Sequence, residues 1–188
     1  MQSMNTDLAD SDRANVIDLL NHDVIDAYLL LVKTKKYHWD VVGSQFLPLH
    51  HLLEEQNIVL SGIINSITDR IKSLGGSPVG IVAGCFQLFL IKEHFAHAPL
   101  VVSMVERLVE DRQQIVRNLH EHVHICHHQY QDRVTADLLT DLIEKYAEMN
   151  WILRVFIQDE PVTPADRDFS VKDYLTDDWI FGTAYKDC

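Results

Sequence analysis

Apolar residues recur at spacings of three and four along most of the chain, and the polar positions between them follow the same period. From about Ser11 to Asp40 the repeat runs through Ile17, Leu20, Val24, Ala27 and Leu31, which predicts an amphipathic helix. His38 falls on the continuation of that stripe. The pattern breaks over Gly43 to Pro48, where Gly frees the backbone and Pro suits a first helical turn. A second helix is predicted from about Phe46 to Leu74 on Leu49, Leu53, Leu60, Ile63, Ile67 and Ile71, stopped by Gly75, Gly76 and Pro78. A mixed apolar connection from Val79 to Ala98, with room for a short helix, leads to Pro99. There a third helix opens, through Met104, Leu108, Ile115 and Leu119, and its end falls somewhere between Glu121 and His128. The fourth runs from about Thr135 to Gln158 on Leu138, Leu139, Leu142, Ile143, Tyr146, Leu153 and Phe156. Rods of roughly 35 to 45 Å follow from the 1.5 Å rise per residue. The expectation is all-α: a four-helix bundle over residues 1–158 with a long crossover between its second and third helices.

Residues 159–188 form a C-terminal extension in which eight acids face three bases, yet it holds Phe169, Tyr174, Leu175, Trp179, Ile180, Phe181 and Tyr185. So apolar a segment is expected to dock on its own or a neighbouring subunit. The whole chain of 188 residues carries 16 Lys and Arg against 28 Asp and Glu, a net charge of −12, with 11 His. Duplex nucleic acid is therefore an unsuitable partner, because affinity for it comes mainly from neutralising phosphates. Cys85, Cys126 and Cys188 are odd in number and widely spaced, so no disulfide framework is implied. The start lacks the basic and apolar regions of a secretory signal, and the apolar stretch Val79 to Ile91 is too short to cross a bilayer. A reducing cytoplasm is the expected compartment, without membrane attachment.

The second helix carries the chemistry. His50 and Glu54, at i and i+4, project side by side, as do Asn65 and Asp69. Glu54 and Asp69 stand about 22 Å apart along the axis, so one helix cannot bring both to one metal. The two pairs are nevertheless symmetric about a point between Val59 and Leu60. Two copies packed antiparallel across a two-fold axis there would set His50 and Glu54 of one chain against Asn65 and Asp69 of the other. Ser61 and Gly62 are small enough for close approach, and His38 would arrive from the first helix. The plain alternative is a solvated polar face beside a hydrogen-bonded core histidine.

Lys36-Tyr37-His38-Trp39-Asp40-Val41-x-Gly43-x-x-Phe46-x-x-x-His50-x-x-x-Glu54, followed by Asp69-Arg70 and Leu74-Gly75-Gly76, resembles the signature of the Dps proteins, the twelve-subunit mini-ferritins. The resemblance implies a ferritin-like bundle and a ferroxidase centre shared between subunits, with Fe(II) oxidised by hydrogen peroxide or dioxygen and stored as ferric mineral in a dodecameric shell. By position, His38 and His50 match the family's His ligands and Glu54 its first carboxylate. Asp69 stands where the family has a bridging Glu, and Asn65 where it has an Asp. Two carboxylates then replace three, which implies one firm metal site and one weak or differently ligated one. Trp39 and His51 lie near this site; His51, the nearest candidate for an additional ligand, is about 100° round the helix from His50. Iron is the implied metal and zinc a possible occupant. A centre disabled by Asn65, in a metal-binding scaffold without catalysis, is the alternative.

The resemblance also implies that acids at the start of the fourth helix, Asp132, Asp137 and Asp141, line three-fold pores, although acids favour a helix N-terminus in any case. Residues 1–15 hold Asp7, Asp10 and Asp12 against Arg13, so the Lys-rich DNA-binding tail of many Dps proteins is missing and DNA binding is not expected. His120, His122, His124, His127 and His128 cluster around Cys126; if helical, His120, His124 and His128 form a ladder able to hold a transition metal. Glu121-x-x-His124 is the chain's one E-x-x-H, whereas a di-iron centre inside a single bundle wants two.

Overall fold

The computed structural model describes residues 8–79 and 101–158. They form α1 (Asp10–Asp40), α2 (Phe46–Ser73), α3 (Val101–His124) and α4 (Arg133–Gln158), with a π-helical turn, Ile125–Gln129, prolonging α3. No strand occurs among the described residues, and the all-α four-helix bundle is the fold. The limits agree with the hydrophobic period to within two residues wherever both ends were legible. The short helix expected in the crossover, the start of the third helix at Pro99 and the extension 159–188 lie outside the described residues.

The bundle is two helical hairpins, α1 on α2 and α3 on α4, closed by α1 against α3 and α2 against α4. Leu20, Leu30, Leu49, Leu53, Leu60, Ile63, Leu108, Leu139, Leu142 and Leu153 have no exposed surface. Each such side chain contributes about 1.5–3 kcal/mol on leaving water. The α1–α2 turn is short because Gly43 adopts φ +92°, a conformation that L side chains rarely take, and because buried Val41 anchors it. α2 ends in a Schellman motif, the Gly75 N–H bonding Lys72 C=O and the Gly76 N–H bonding Ile71 C=O, both at 2.9 Å, with Gly75 at φ +78°.

Charged and polar groups are also buried. Lys33 Nζ meets Asp111 Oδ2 at 2.5 Å between α1 and α3. In the bundle interior Arg112, fully buried, donates from Nη2 to Gln56 Oε1 at 2.8 Å, and Gln56 Nε2 donates to the Met149 carbonyl at 3.3 Å. Burial brings the Arg112 pKa down to about 10 and raises that of Tyr146 beside it. A fixed guanidinium here opposes a cation in the middle of the bundle, in keeping with the single E-x-x-H.

Candidate metal centre

His38 lies in the last turn of α1 and His50 in the first turns of α2, twelve residues on. The short Gly43 turn folds the two backbones together. His38 Nδ1 lies 3.0 Å from the His50 carbonyl oxygen, and His50 Nδ1 lies 3.0 Å from the His38 carbonyl oxygen. A carbonyl can only accept, so both Nδ1 atoms carry a proton, and in the neutral rings the lone pair lies on Nε2. The His38 carbonyl is one of the four that end α1 without an intrahelical N–H, so the His50 ring also caps the helix. The two rings stack at 3.7 Å between centroids, 25° from parallel, and Phe46 packs on His50 with centroids 5.0 Å apart.

Glu54, one turn after His50, brings Oε2 to 3.8 Å from His38 Nε2. Its side chain is 58% exposed against 13% for His38, so the group opens outward from the protomer. Imidazole nitrogen and carboxylate oxygen are donor types that suit Fe(II) or Zn(II), although the three side chains do not converge on one point within the protomer. His51 is exposed, its ring edge-on to His50 at 6.2 Å. Trp39 is 72% exposed.

Asn65 and Asp69 do not join these groups within one protomer. α2 is unbroken from Phe46 to Ser73, which sets them roughly 16 and 22 Å beyond Glu54 along the axis, both exposed. Among the described residues no three His, Cys, Asp or Glu side chains gather as a metal set. The helix face between the two ends is apolar and open. Ile58 is 67% exposed, Val59 is partly so, and a Cβ on Gly62 would meet nothing within 4 Å. Val42, Phe46 and Leu47 add exposed apolar surface at the turn, a patch of the kind that marks a protein contact.

Asp132 departs from the pore expectation. It is 5% exposed, and both carboxylate oxygens accept from Arg70 Nη2, at 2.9 and 3.1 Å. Oδ1 also accepts the Thr135 N–H at 3.0 Å and Oδ2 the Thr135 hydroxyl at 2.5 Å. Asp132 is thus the N-cap of α4 and a buried ion-pair partner, unavailable to line a channel. Asp137 and Asp141 are exposed on one face of α4.

The signature residues were legible as a motif, but the ring-to-carbonyl pair was not. Its only trace in the sequence is the twelve-residue interval around a glycine turn, which forces the two backbones into contact.

The ferritin-like domain family matches residues 17–161. The chain is 48% identical over 164 residues to a low temperature-induced protein of Nostoc sp., covering 87% of this chain and 92% of the relative. It is 31% identical over 142 residues to DNA protection during starvation protein 2 of Bacillus anthracis, covering 76% and 96%. Among solved structures, DpsC from Streptomyces coelicolor superposes with a TM-score of 0.80 at 25% identity, over 86% of this chain and 94% of the other. A Dps protein from Bacillus brevis gives 0.72 at 30% identity, over 80% and 100%.

Proposed function

The chain belongs to the Dps family of ferritin-like proteins, and on that footing we propose that it binds Fe(II) at a centre shared between two subunits, oxidises it, and stores the ferric product, limiting oxidative damage. The reciprocal His38–His50 pair carries this reading, because it commits both Nδ1 atoms to backbone carbonyls and leaves both Nε2 atoms for a metal, that of His38 lying 3.8 Å from the Glu54 carboxylate. The outward opening of that group and the exposed apolar face of α2 around Gly62 support an antiparallel two-fold partner. That partner's copies of Asn65 and Asp69 would complete each centre.

Iron is the substrate and the cargo. With hydrogen peroxide as oxidant, two Fe(II) each give up one electron, the O–O bond breaks, and two hydroxides form without release of hydroxyl radical. With dioxygen, a first pair of Fe(II) gives two electrons and solvent gives two protons to form hydrogen peroxide, which a second pair of Fe(II) then reduces to two hydroxides. His38 and His50 hold the ion through neutral nitrogen, while Glu54 and the partner subunit's Asp69 offset the charge gained on oxidation. Asn65, a neutral amide, leaves one of two positions weaker. Zinc fits the same donors and would compete.

A dodecamer built from such pairs, of about 260 kDa from 21.7 kDa subunits, supplies the shell, and exposed Asp137 and Asp141 would draw cations toward its openings. With a net charge of −12 per chain, DNA is not a partner at physiological salt. Among the described residues no helix is long and apolar enough to cross a membrane; a cytoplasmic location belongs to the proposal. The test is ferric absorbance after Fe(II) and oxidant are mixed, comparing wild type with His50→Ala. A large loss of rate supports the centre. Equal rates would leave a metal-binding scaffold without catalysis.

A further inference from the structure

Five of the eleven His lie between His120 and His128, and the fold divides them. His122 turns inward, its Nδ1 2.8 Å from Asp23 Oδ1 on a carboxylate 3% exposed. His124, His127 and His128 all face solvent. Ring centroids are 4.7 Å apart for His124 and His128, and 4.6 Å apart for His127 and His128. The π-helical turn Ile125–Gln129 brings them together. Its wider loop, closed by the Tyr130 N–H reaching Ile125 C=O at 3.2 Å, keeps Cys126 fully buried while all three imidazoles stay on the outer side. Single π turns of this kind cost helix regularity and recur at functional sites. Nothing in the proposed iron chemistry uses this one.

We propose that His124, His127 and His128 form a surface site for a late first-row divalent cation, Cu(II) foremost and Zn(II) or Ni(II) after it, independent of the His38–His50–Glu54 centre. The selectivity follows from the donors. Three imidazoles, with no carboxylate bonded to them among the described residues, suit copper, nickel and zinc, whereas the mixed set at the iron centre suits Fe(II), and affinity along the row peaks at copper. Donor atoms are not yet gathered around one point in these three side chains. A cation would draw them in by rotation about χ1 and χ2, which is open to groups on the solvent side of a helix end.

The test is a Cu(II) titration of the assembled full-length protein, followed by calorimetry and by electron paramagnetic resonance, on wild type, on the double variant His124→Ala/His128→Ala, and on His50→Ala. The double variant is expected to lose one copper equivalent per subunit, or at least tenfold in affinity, together with the nitrogen hyperfine structure of that ion, while its Fe(II) oxidation rate stays at the wild-type value. The copper readout stands whether or not iron is oxidised. Unchanged stoichiometry and affinity in the double variant overturns the proposal. So does copper binding lost only in His50→Ala, since the ion then sits at the other centre. His124→Gln/His128→Gln provides a second variant of similar polarity should the alanine pair disturb assembly, and it is expected to lose the same equivalent.

Discussion

His38 and His50 hold each other: each ring donates from Nδ1 to the other residue's backbone carbonyl at 3.0 Å, and the rings stack at 3.7 Å. One interaction thus caps α1, joins it to α2 and commits the Nδ1 of both rings. Replacing His50 by Ala is expected to cut the rate of Fe(II) oxidation by at least 10–100-fold, the loss usual when ligand orientation fails. It should also lower unfolding free energy by about 1 kcal/mol for the lost hydrogen bond. Stopped-flow ferric absorbance and denaturant unfolding read the two effects separately.

Asn65→Asp would give each proposed shared centre a third carboxylate. In an anaerobic Zn(II) or Fe(II) titration the weaker of two ions per subunit should tighten by roughly tenfold, equivalent to about 1.4 kcal/mol. Two equally tight ions already present in the wild type would show that the amide is no handicap.

Gly62→Arg distinguishes protomer from assembly. A Cβ at Gly62 meets nothing within 4 Å in the protomer, so circular dichroism should keep its helical signal. The side chain would block the two-fold approach of α2. Light scattering should then fall well below about 260 kDa, and iron oxidation should fall with it. A variant that assembles and oxidises iron normally would refute the shared centre.

Asp132→Ala breaks a buried ion pair and an N-cap together, and is expected to cost about 2–4 kcal/mol of stability in denaturant unfolding. Asp137→Asn with Asp141→Asn, both on the exposed face, should leave stability within about 0.5 kcal/mol and slow iron uptake. The reverse pattern would place the pore acid at Asp132 after all.

Burial, with the charge of Asp23, raises the Asp26 pKa to about 6, against bonds and charges from Asn118, His22 and His122. The folded state therefore holds more protons than the unfolded chain between about pH 4 and 6, and stability falls as pH rises through that window. His122 acts in the same direction. Burial alone would lower its pKa, but the bond to Asp23 and the neighbouring acids raise it overall, so its contribution is present below about pH 6.5 and is lost as pH climbs through the folded value. Calorimetry should give a higher Tm at pH 6 than at pH 8. Asp26→Asn should gain about 3 kcal/mol at pH 7.5 and well under about 1 kcal/mol near pH 4; no gain at pH 7.5 would show that Asp26 carries no such penalty.

Helix limits were readable because the period of 3.6 residues is local. Ile17, Leu20, Val24, Ala27 and Leu31 mark one stripe whatever α1 packs against, and Gly75 stops α2 through its own backbone freedom. The side-by-side placing of His50 and Glu54 was readable for the same reason, as residues four apart share a helix face by spacing alone. The same period does not say which polar residues go inside. Asp23, Asp26 and Lys33 flank the stripe, yet all are buried, because α3 brings His122, Asn118 and Asp111 to meet them.

By itself the sequence determined four amphipathic helices, the turn at Gly43 and a His-His-Glu set at the α1–α2 corner, since each depends on residues within a turn or two of one another. Only the tertiary structure decided what each charge does. Asp132 became an ion-pair partner instead of a pore acid because Arg70, 62 residues earlier, arrives beside it from α2. His122 left its neighbours to bond an acid 99 residues away. Spacing sets which side chains share a face, but partners that desolvate and neutralise a charge come from other helices, and no period along the chain encodes them.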